Sequence, residues 1–566
     1  MGAPLVIRCA RLLGRLEQHA HWGGVALAAV ALVVAVRWGA FAAGGSDSHC
    51  YLEQAAMWAE GRMLRPQPWR VDLPSPDASL ALAPTGFIPS PTVPGGIAPI
   101  CPPGLALLMA GARHAAGVEA VFAVVPLLGA LAAWCAFVLG RRLAGPLAGL
   151  VSATLVVASP VFLFQLVQPM SDVPAAALWL LALAALTSPS RRRHLAAGLA
   201  ASAAILVRPN LAPIAAPMAL YALLEPAVAE APASGSGRHW NAASDPRAAA
   251  SLSCRLRALG WLLVGLLPGV VAVAAIQEAL YGSPLSSGYG DASLLFSLSH
   301  VGPNLWRYPR WLVGTQSPFV LLALLAPFLL ADGGSRPGTG ATGRRPARVS
   351  PRAVAWLLLG AAGVTAGLYL LYVPFDDWWY LRFWLPAVTA LVILAPAVAV
   401  ELGRRTGACT LLVVAVGVTA ALSAWQLDVA RDRGAFAVAA REARFPRVAQ
   451  YVARRFPPGA VFFTIWHSGS IRYHGRRQTV VWDAIAPDDL DRAIEALKDA
   501  GRPPLVLLED WEEPDFRARF GGRSRFGDLD WPPAAQLGRA VRLYDPADRA
   551  RYLAGERVAT AQIPRR

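Results

Sequence analysis

Residues Val25–Ala42 read VALAAVALVVAVRWGAFA, an apolar run preceded by Arg8, Arg11 and Arg15 and followed by the polar stretch Gly44-Gly45-Ser46-Asp47-Ser48-His49. Its length and purity suit one helical crossing of a bilayer, which takes about 20 apolar residues. The basic flank and the Ala40-Phe41-Ala42 end also fit a cleaved signal peptide, and the run reads first as a retained helix. Outward from it, apolar runs recur near residues 119–139, 145–164, 172–188, 195–224, 258–281, 311–331, 353–373, 383–400 and 408–427. The 195–224 run is interrupted by Arg208, Pro209, Asn210 and Pro213, so it is either one tilted helix or two short ones returning to the same side. Counted as a returning pair, the runs give about eleven crossings.

Arginine placement favours the returning pair. It puts Arg141, Arg142, Arg191, Arg192, Arg193, Arg404, Arg405 and the Arg-rich linkers 225–257 and 332–352 on the same side as Arg8, Arg11 and Arg15. The opposite loops before residue 428 hold a sparser set, Arg62, Arg65, Arg70, Arg113, Arg307, Arg310 and Arg382. Because basic loops stay cytoplasmic, the N-terminus is expected inside and the C-terminus outside the inner (plasma) membrane. The two linkers, rich in Gly, Ser, Pro and Arg, read as flexible cytoplasmic loops.

Composition agrees with a multi-pass protein. Of 566 residues, 55 % are hydrophobic and only 16 % charged, more apolar mass than one soluble core uses. The net charge of +16 is spread between the apolar runs rather than gathered in a patch, so it reads as topology signal and not as a nucleic-acid surface. The expected fold is an α-helical polytopic membrane protein with a small C-terminal α/β domain. Its parts are a cytoplasmic N-terminus (1–22), a transmembrane domain (23–427) with an external loop (44–118), and an extracytoplasmic domain (428–566). Within that loop, Leu105 to Ala112 is too short to span and is expected along the membrane surface. In the last part, Phe445–Phe456 and Asp488–Ala500 read as helices. Val461–Trp466, Thr479–Trp482 and Leu505–Leu508 read as strands, which suggests three layers.

No HExxH, GxxxxGK[ST] or GxSxG motif is present, and the cysteines at 9, 50, 101, 135, 254 and 409 lack zinc-ligand spacing. Cys50 and Cys101 alone share an external loop on this topology, which admits a disulfide between them.

Ionisable residues at a membrane boundary are costly to desolvate, so those beside apolar runs are site candidates. Four places qualify: Ser46-Asp47-Ser48-His49-Cys50-Tyr51, Gln168-Pro169-Met170-Ser171-Asp172, Leu206-Val207-Arg208-Pro209-Asn210, and Phe375-Asp376-Asp377-Trp378-Trp379-Tyr380-Leu381-Arg382-Phe383. All four are expected on the external face. Each has a plainer reading beside the functional one. Asp47 and Asp172 also suit helix N-termini, Trp378, Trp379 and Tyr380 also suit interfacial anchors, and Arg382 can snorkel to headgroups. A buried Arg208 needs a partner, and an anionic ligand would serve.

Taken in order, these motifs resemble the GT-C glycosyltransferases, family 39 and the dolichyl-phosphate-mannose and aminoarabinose transferase-like group. Gly45-Ser46-Asp47 to Tyr51, with Glu60-Gly61-Arg62, is similar to the family's first external loop. Cys101-Pro102-Pro103-Gly104 resembles the Tyr-Pro-Pro element that closes that loop, with Cys where Tyr is common. Met170-Ser171-Asp172-Val173-Pro174 and Tyr380-Leu381-Arg382-Phe383 resemble later elements, and the likeness covers roughly residues 23–427.

The resemblance implies an inverting transfer of sugar from a polyprenyl-phosphate carrier to an envelope glycan, lipid or protein outside the membrane. Asp47 would be general base, and Arg382 and Arg208 would bind the donor phosphate. Tyr51, His49, Asp376, Asp377 and Tyr380 are the substrate-binding candidates. Asp172 would either hold a divalent cation (Mg or Mn) against the phosphate or orient a neighbouring basic group. Two other readings stay open: an ion-coupled transporter, for which external acids and a broken helix also serve, and a non-catalytic envelope-assembly protein.

Overall fold

The computed structural model describes residues 3–66, 73–188, 190, 192–225, 252–330 and 350–564, so the two Arg-rich linkers fall for the most part outside the described residues. The chain forms two compact units, one of residues 1–39, 123–273 and 292–436, the other of 40–122, 274–291 and 437–566.

The first unit is a helical bundle whose elements fall on the apolar runs of the sequence. Ile7–Trp38, Val118–Ala144, Leu252–Tyr281, Pro351–Leu370, Trp378–Thr406 and Ala408–Asp432 are each long and apolar enough to cross a membrane. Two bent helix pairs are long and apolar enough only when taken together, Pro146–Ala158 with Pro160–Leu166 (61°) and Leu298–Gln316 with Pro318–Leu329 (104°), so six to eight spans, rather than about eleven, meet that length among the described residues. Both bends coincide with a proline that opens the second helix, where its missing N–H costs nothing and its ring prevents a straight continuation.

Three shorter apolar helices complete the set, Asp172–Leu186, Arg193–Val207 and Pro209–Leu224. Of the alternatives for the 195–224 run, a single continuous helix is excluded. The backbone at Arg208 leaves the helical region (φ −145°, ψ 90°), as a residue before proline prefers. Small residues set helix spacing here: a Cβ on Gly198 would sit 2.8 Å from Gly265 Cα, so the helices Arg193–Val207 and Leu252–Tyr281 touch backbone to backbone.

In the second unit, three strands, β1 (Arg65–Pro66), β2 (Phe87–Pro89) and β3 (Gly96–Pro99), form a small antiparallel sheet in the order β1-β3-β2. A larger sheet joins β4 (Val461–Phe463), β5 (Gln478–Val480), β6 (Pro504–Glu509), β7 (Ala535–Leu537), β8 (Val541–Tyr544) and β9 (Ala561–Gln562) in the order β5-β4-β6-β8-β7-β9. β4, β5 and β6 are parallel, as their helical crossovers require, and β8 runs antiparallel to β6.

β6 is buried along its whole length and its side chains alternate between two cores. Leu505 and Leu507 join Phe462, Val448 and Val452 on one face. Val506 and Leu508 join Val461, Phe463, Ile494 and Phe516 on the other. The helix Arg444–Arg455 covers the first face and the helices Leu490–Asp499 and Glu512–Phe520 the second, giving the three layers expected from the alternation.

Segment 73–82 also belongs to this fold: Leu73 and Ala81 lie in the second core, and Ala81 O accepts a 2.7 Å bond from Val481 N. The Leu105–Ala112 stretch lies in a helix, Pro103–Ala116, that buries Leu105 and Met109 and packs against the helix Asp47–Ala59, with Leu107 and Leu108 left exposed.

Candidate active site

Within the first unit, the break at Arg208 brings three of the sequence candidates together. Because the helix ends at Val207, the extended backbone swings the Arg208 side chain onto the start of the helix Asp172–Leu186. Its Nη2 lies 2.6 Å from Asp172 Oδ1 and its Nε donates to Ser171 Oγ at 3.1 Å. Tyr369 Oη accepts from Arg208 Nη1 at 3.3 Å and from Asn210 Nδ2 at 2.8 Å. Arg382 approaches the other carboxylate oxygen, with Nη1 4.0 Å from Asp172 Oδ2.

The Phe383 ring carries both guanidiniums, Arg208 Cζ at 5.5 Å and Arg382 Cζ at 5.1 Å from its centroid, and Tyr369 stacks against the same ring at 5.0 Å. The Asp172 side chain is wholly buried, while 11 % of Arg208 and 15 % of Arg382 reach the surface.

The cluster sets one carboxylate between two guanidiniums. Guanidinium forks suit an anion such as a phosphate. Among the described residues no three His, Cys, Asp or Glu side chains gather at metal-binding distance, and Asp172 already has an arginine on each oxygen. A divalent ion does not fit there, and of the two roles open to Asp172 the geometry supports orienting the basic groups. Its plainer reading as a capping side chain is not what the structure holds, since its one hydrogen-bonded oxygen points to Arg208.

The 375–383 loop continues the aromatic wall. Tyr380 stacks on Phe375 at 3.9 Å, Arg382 Cζ stands 5.5 Å from the Tyr380 ring, and Trp378 and Trp379 pack on Phe164. Asp376 pairs with Arg307, and Asp377 is exposed. Desolvation, with the neighbouring Asp376 charge second, raises the Asp377 carboxyl above the ordinary range. Tyr369 and Asn304 were not among the sequence candidates. Asn304 Nδ2 donates to the carbonyls of Tyr369 (3.2 Å) and Tyr372 (2.5 Å), which ties the end of the Pro351–Leu370 helix in place. A polar residue inside an apolar helix was the available signal for both.

Within the second unit, Asp47 is the first residue of the helix Asp47–Ala59 and is partly exposed. Its position depends on two glycines. Gly45 adopts φ +56° against the Trp466 ring, and a side chain on Gly44 would collide with Phe445. Ala43 N donates to His474 Nε2 at 3.1 Å. The helix N-terminus favours a negative charge on Asp47.

His49 and Tyr51 are buried behind it. His49 Nδ1 is 3.2 Å from Thr85 O, and burial pushes its pKa down to about 3, so the ring is neutral. Cys50 and Cys101 are free thiols within hydrogen-bonding reach of each other, and Cys50 Sγ donates to Gly86 O at 3.0 Å, so the disulfide that the sequence admits is not formed. The His467-to-Ser470 motif is also internal: His467 Nε2 lies 2.8 Å from Glu509 Oε1, which Arg444 Nε also contacts at 2.7 Å, and both His467 and Ser470 are fully buried.

The whole fold matches two solved enzymes. ArnT from Cupriavidus metallidurans, in the apo state, aligns over 92 % of this chain and 97 % of its own with a TM-score of 0.51 at 14 % identity. The oligosaccharyltransferase of Archaeoglobus fulgidus aligns over 92 % of this chain and 73 % of its own with a TM-score of 0.53 at 12 % identity. The chain therefore shares the fold of these two proteins. The fold match extends past residue 427, where the motif likeness stops, since it covers 92 % of the chain. Residues 102–234, which contain Asp172 and Arg208, also match the dolichyl-phosphate-mannose-protein mannosyltransferase family. The ArnT structure is also known bound to undecaprenyl phosphate, with a TM-score of 0.50 to this chain. No curated protein sequence matches the chain.

Proposed function

We propose that this protein is a membrane glycosyltransferase that moves a sugar from a polyprenyl-phosphate carrier to an acceptor hydroxyl on the extracytoplasmic side of the inner membrane. The observation that carries the reading is the buried Asp172–Arg208–Arg382 cluster, two guanidiniums positioned by one carboxylate on an aromatic shelf in an apolar bundle. Guanidiniums so placed can hold a phosphate by charge-assisted hydrogen bonds, and a lipid phosphate reaches them through the bilayer.

In the reaction, Asp47 takes the proton of the acceptor hydroxyl as its oxygen attacks the anomeric carbon. The bond from that carbon to the phosphate oxygen breaks, its electron pair leaves with the polyprenyl phosphate, and the anomeric configuration inverts. Negative charge grows on the leaving phosphate, so Arg382 and Arg208 stabilise the transition state more than the ground state. Asp172 holds Arg208 in position, and Tyr380 and the Asp376–Asp377 loop border the donor sugar. His49, neutral and internal, supports the Asp47 turn together with Tyr51. The N-terminus is cytoplasmic and the 437–566 portion faces the acceptor.

Purified protein in liposomes containing an undecaprenyl-phosphate-linked sugar tests this. Wild type releases undecaprenyl phosphate in an acceptor-dependent way, and Asp47→Asn, folded and membrane-inserted, loses at least a hundredfold in turnover. Near-normal turnover of Asp47→Asn removes the base assignment. Solute uptake that needs no lipid-linked sugar would instead favour the transporter.

A further inference from the structure

The helix Arg444–Arg455 buries Phe445, Val448, Ala449 and Val452 under the large sheet. Arg447, Gln450, Arg454 and Arg455 stand outside that core, and Tyr451 packs against its edge. With Pro564, which follows β9, they line an open cavity of about 240 Å³. None of the three arginines makes an ion pair among the described residues, whereas Arg444 of the same helix contacts Glu509 and Glu442. Among the described residues no carboxylate lines the cavity. Like charges gathered on one cavity repel, so this grouping is a cost to the free protein that a bound anion would offset.

We infer that this cavity is a subsite for an anionic sugar, one bearing a phosphate or a carboxylate. The guanidinium forks of Arg454, Arg455 and Arg447 match either group in a bidentate way. Tyr451 offers a flat face to a pyranose ring, and Gln450 offers both a donor and an acceptor to its hydroxyls. The volume suits one charged sugar residue rather than a chain. A face built to lie on a bilayer would carry large apolar side chains beside its arginines, and among the described residues Leu, Ile, Phe and Trp are absent from the lining. That the sugar is part of the acceptor rests on the proposed transferase reading; the anion binding does not.

The test is calorimetric titration of the full-length protein in a non-ionic detergent with glucose 6-phosphate, glucuronate and glucose. Wild type is expected to bind both anions saturably, at least tenfold more tightly than glucose, with competition by inorganic phosphate. The triple variant Arg447→Gln, Arg454→Gln, Arg455→Gln should lose at least tenfold for both anions, while Arg454→Lys with Arg455→Lys retains an intermediate affinity. Undecaprenyl phosphate binding should be unchanged in all variants. Equal binding of the anions by wild type and the triple variant overturns the inference. So does Arg454-dependent retention on phosphatidylglycerol vesicles without binding of either sugar anion, which makes the face a membrane contact. Failure of anion binding with Asp47-dependent transfer intact refutes the subsite alone; anion binding with no transfer refutes the transferase alone.

Discussion

Replacing Arg208 by methionine removes the closest partner of a carboxylate that has no exposure of its own, while keeping most of the side chain's length in the bundle. Asp172 then faces only Arg382, whose Nη1 is 4.0 Å from the far oxygen. Breaking a buried ion pair from one side typically costs about 3–5 kcal/mol, because the remaining charge stays desolvated. The second arginine compensates in part, so about 3 kcal/mol is the expectation for Arg208→Met. Neutralising the orphan should recover much of it. The double variant Asp172→Asn, Arg208→Met is therefore expected to be more stable than Arg208→Met alone, with a coupling energy of about 1–3 kcal/mol. Reversible unfolding of the four proteins in mixed micelles, followed by Trp fluorescence, gives the cycle. Undecaprenyl phosphate binding gives the functional arm, in which both Arg208→Met proteins are weak whatever their stability. A single variant as stable as wild type, or a double variant that loses the plain sum of the two, would refute the reasoning.

Three further perturbations test separate parts of the structure. Gly45→Ala places a Cβ in a left-handed backbone (φ +56°) beside Trp466, so a loss of about 1–2 kcal/mol and a fall in kcat larger than any change in donor affinity are expected. Gly198→Leu drives a side chain into the backbone of the helix Leu252–Tyr281; a loss of about 1–3 kcal/mol in the unfolding assay is expected, and an unchanged midpoint would show that the close approach is not maintained.

The third concerns acid. His49, with its pKa pushed down to about 3 by burial, binds fewer protons folded than unfolded between that value and the ordinary 6.5. Its contribution is therefore intact above pH 6.5 and is lost as pH falls towards 3, by up to about 5 kcal/mol. His49→Gln, which keeps a donor for Thr85 O, should flatten the acid side of the stability curve between pH 6.5 and 4, and an unchanged slope there would reassign the effect to other groups.

Much of the site was legible as motifs and little of it as geometry. Asp47, Asp172, Arg208 and Arg382 were identifiable because each is a charged residue beside an apolar run, where its desolvation has to be compensated. Their relations were not. Thirty-six residues separate Asp172 from Arg208, and nothing in the local pattern gives the rotation that points one at the other. Tyr369 and Asn304 lay inside apolar helices, where a polar residue reads equally well as an interface anchor. The helix 444–455 was read from its period, but the concentration of uncompensated arginine on one of its faces depends on which face the sheet covers and on where β9 ends.

The sequence by itself determined the apolar runs, their interruption at Arg208-Pro209, and the buried strand at Leu505–Leu508. Those features follow from hydrophobic length and period and from proline's missing N–H, which act within a few residues. Only the tertiary structure decided that segment 73–82 completes the core of the 437–566 sheet, that one carboxylate is shared by two guanidiniums over Phe383, and that Cys50 and Cys101 stand together as thiols. These are contacts between residues distant in the chain, fixed by the packing of whole elements against one another, and no short-range propensity encodes them.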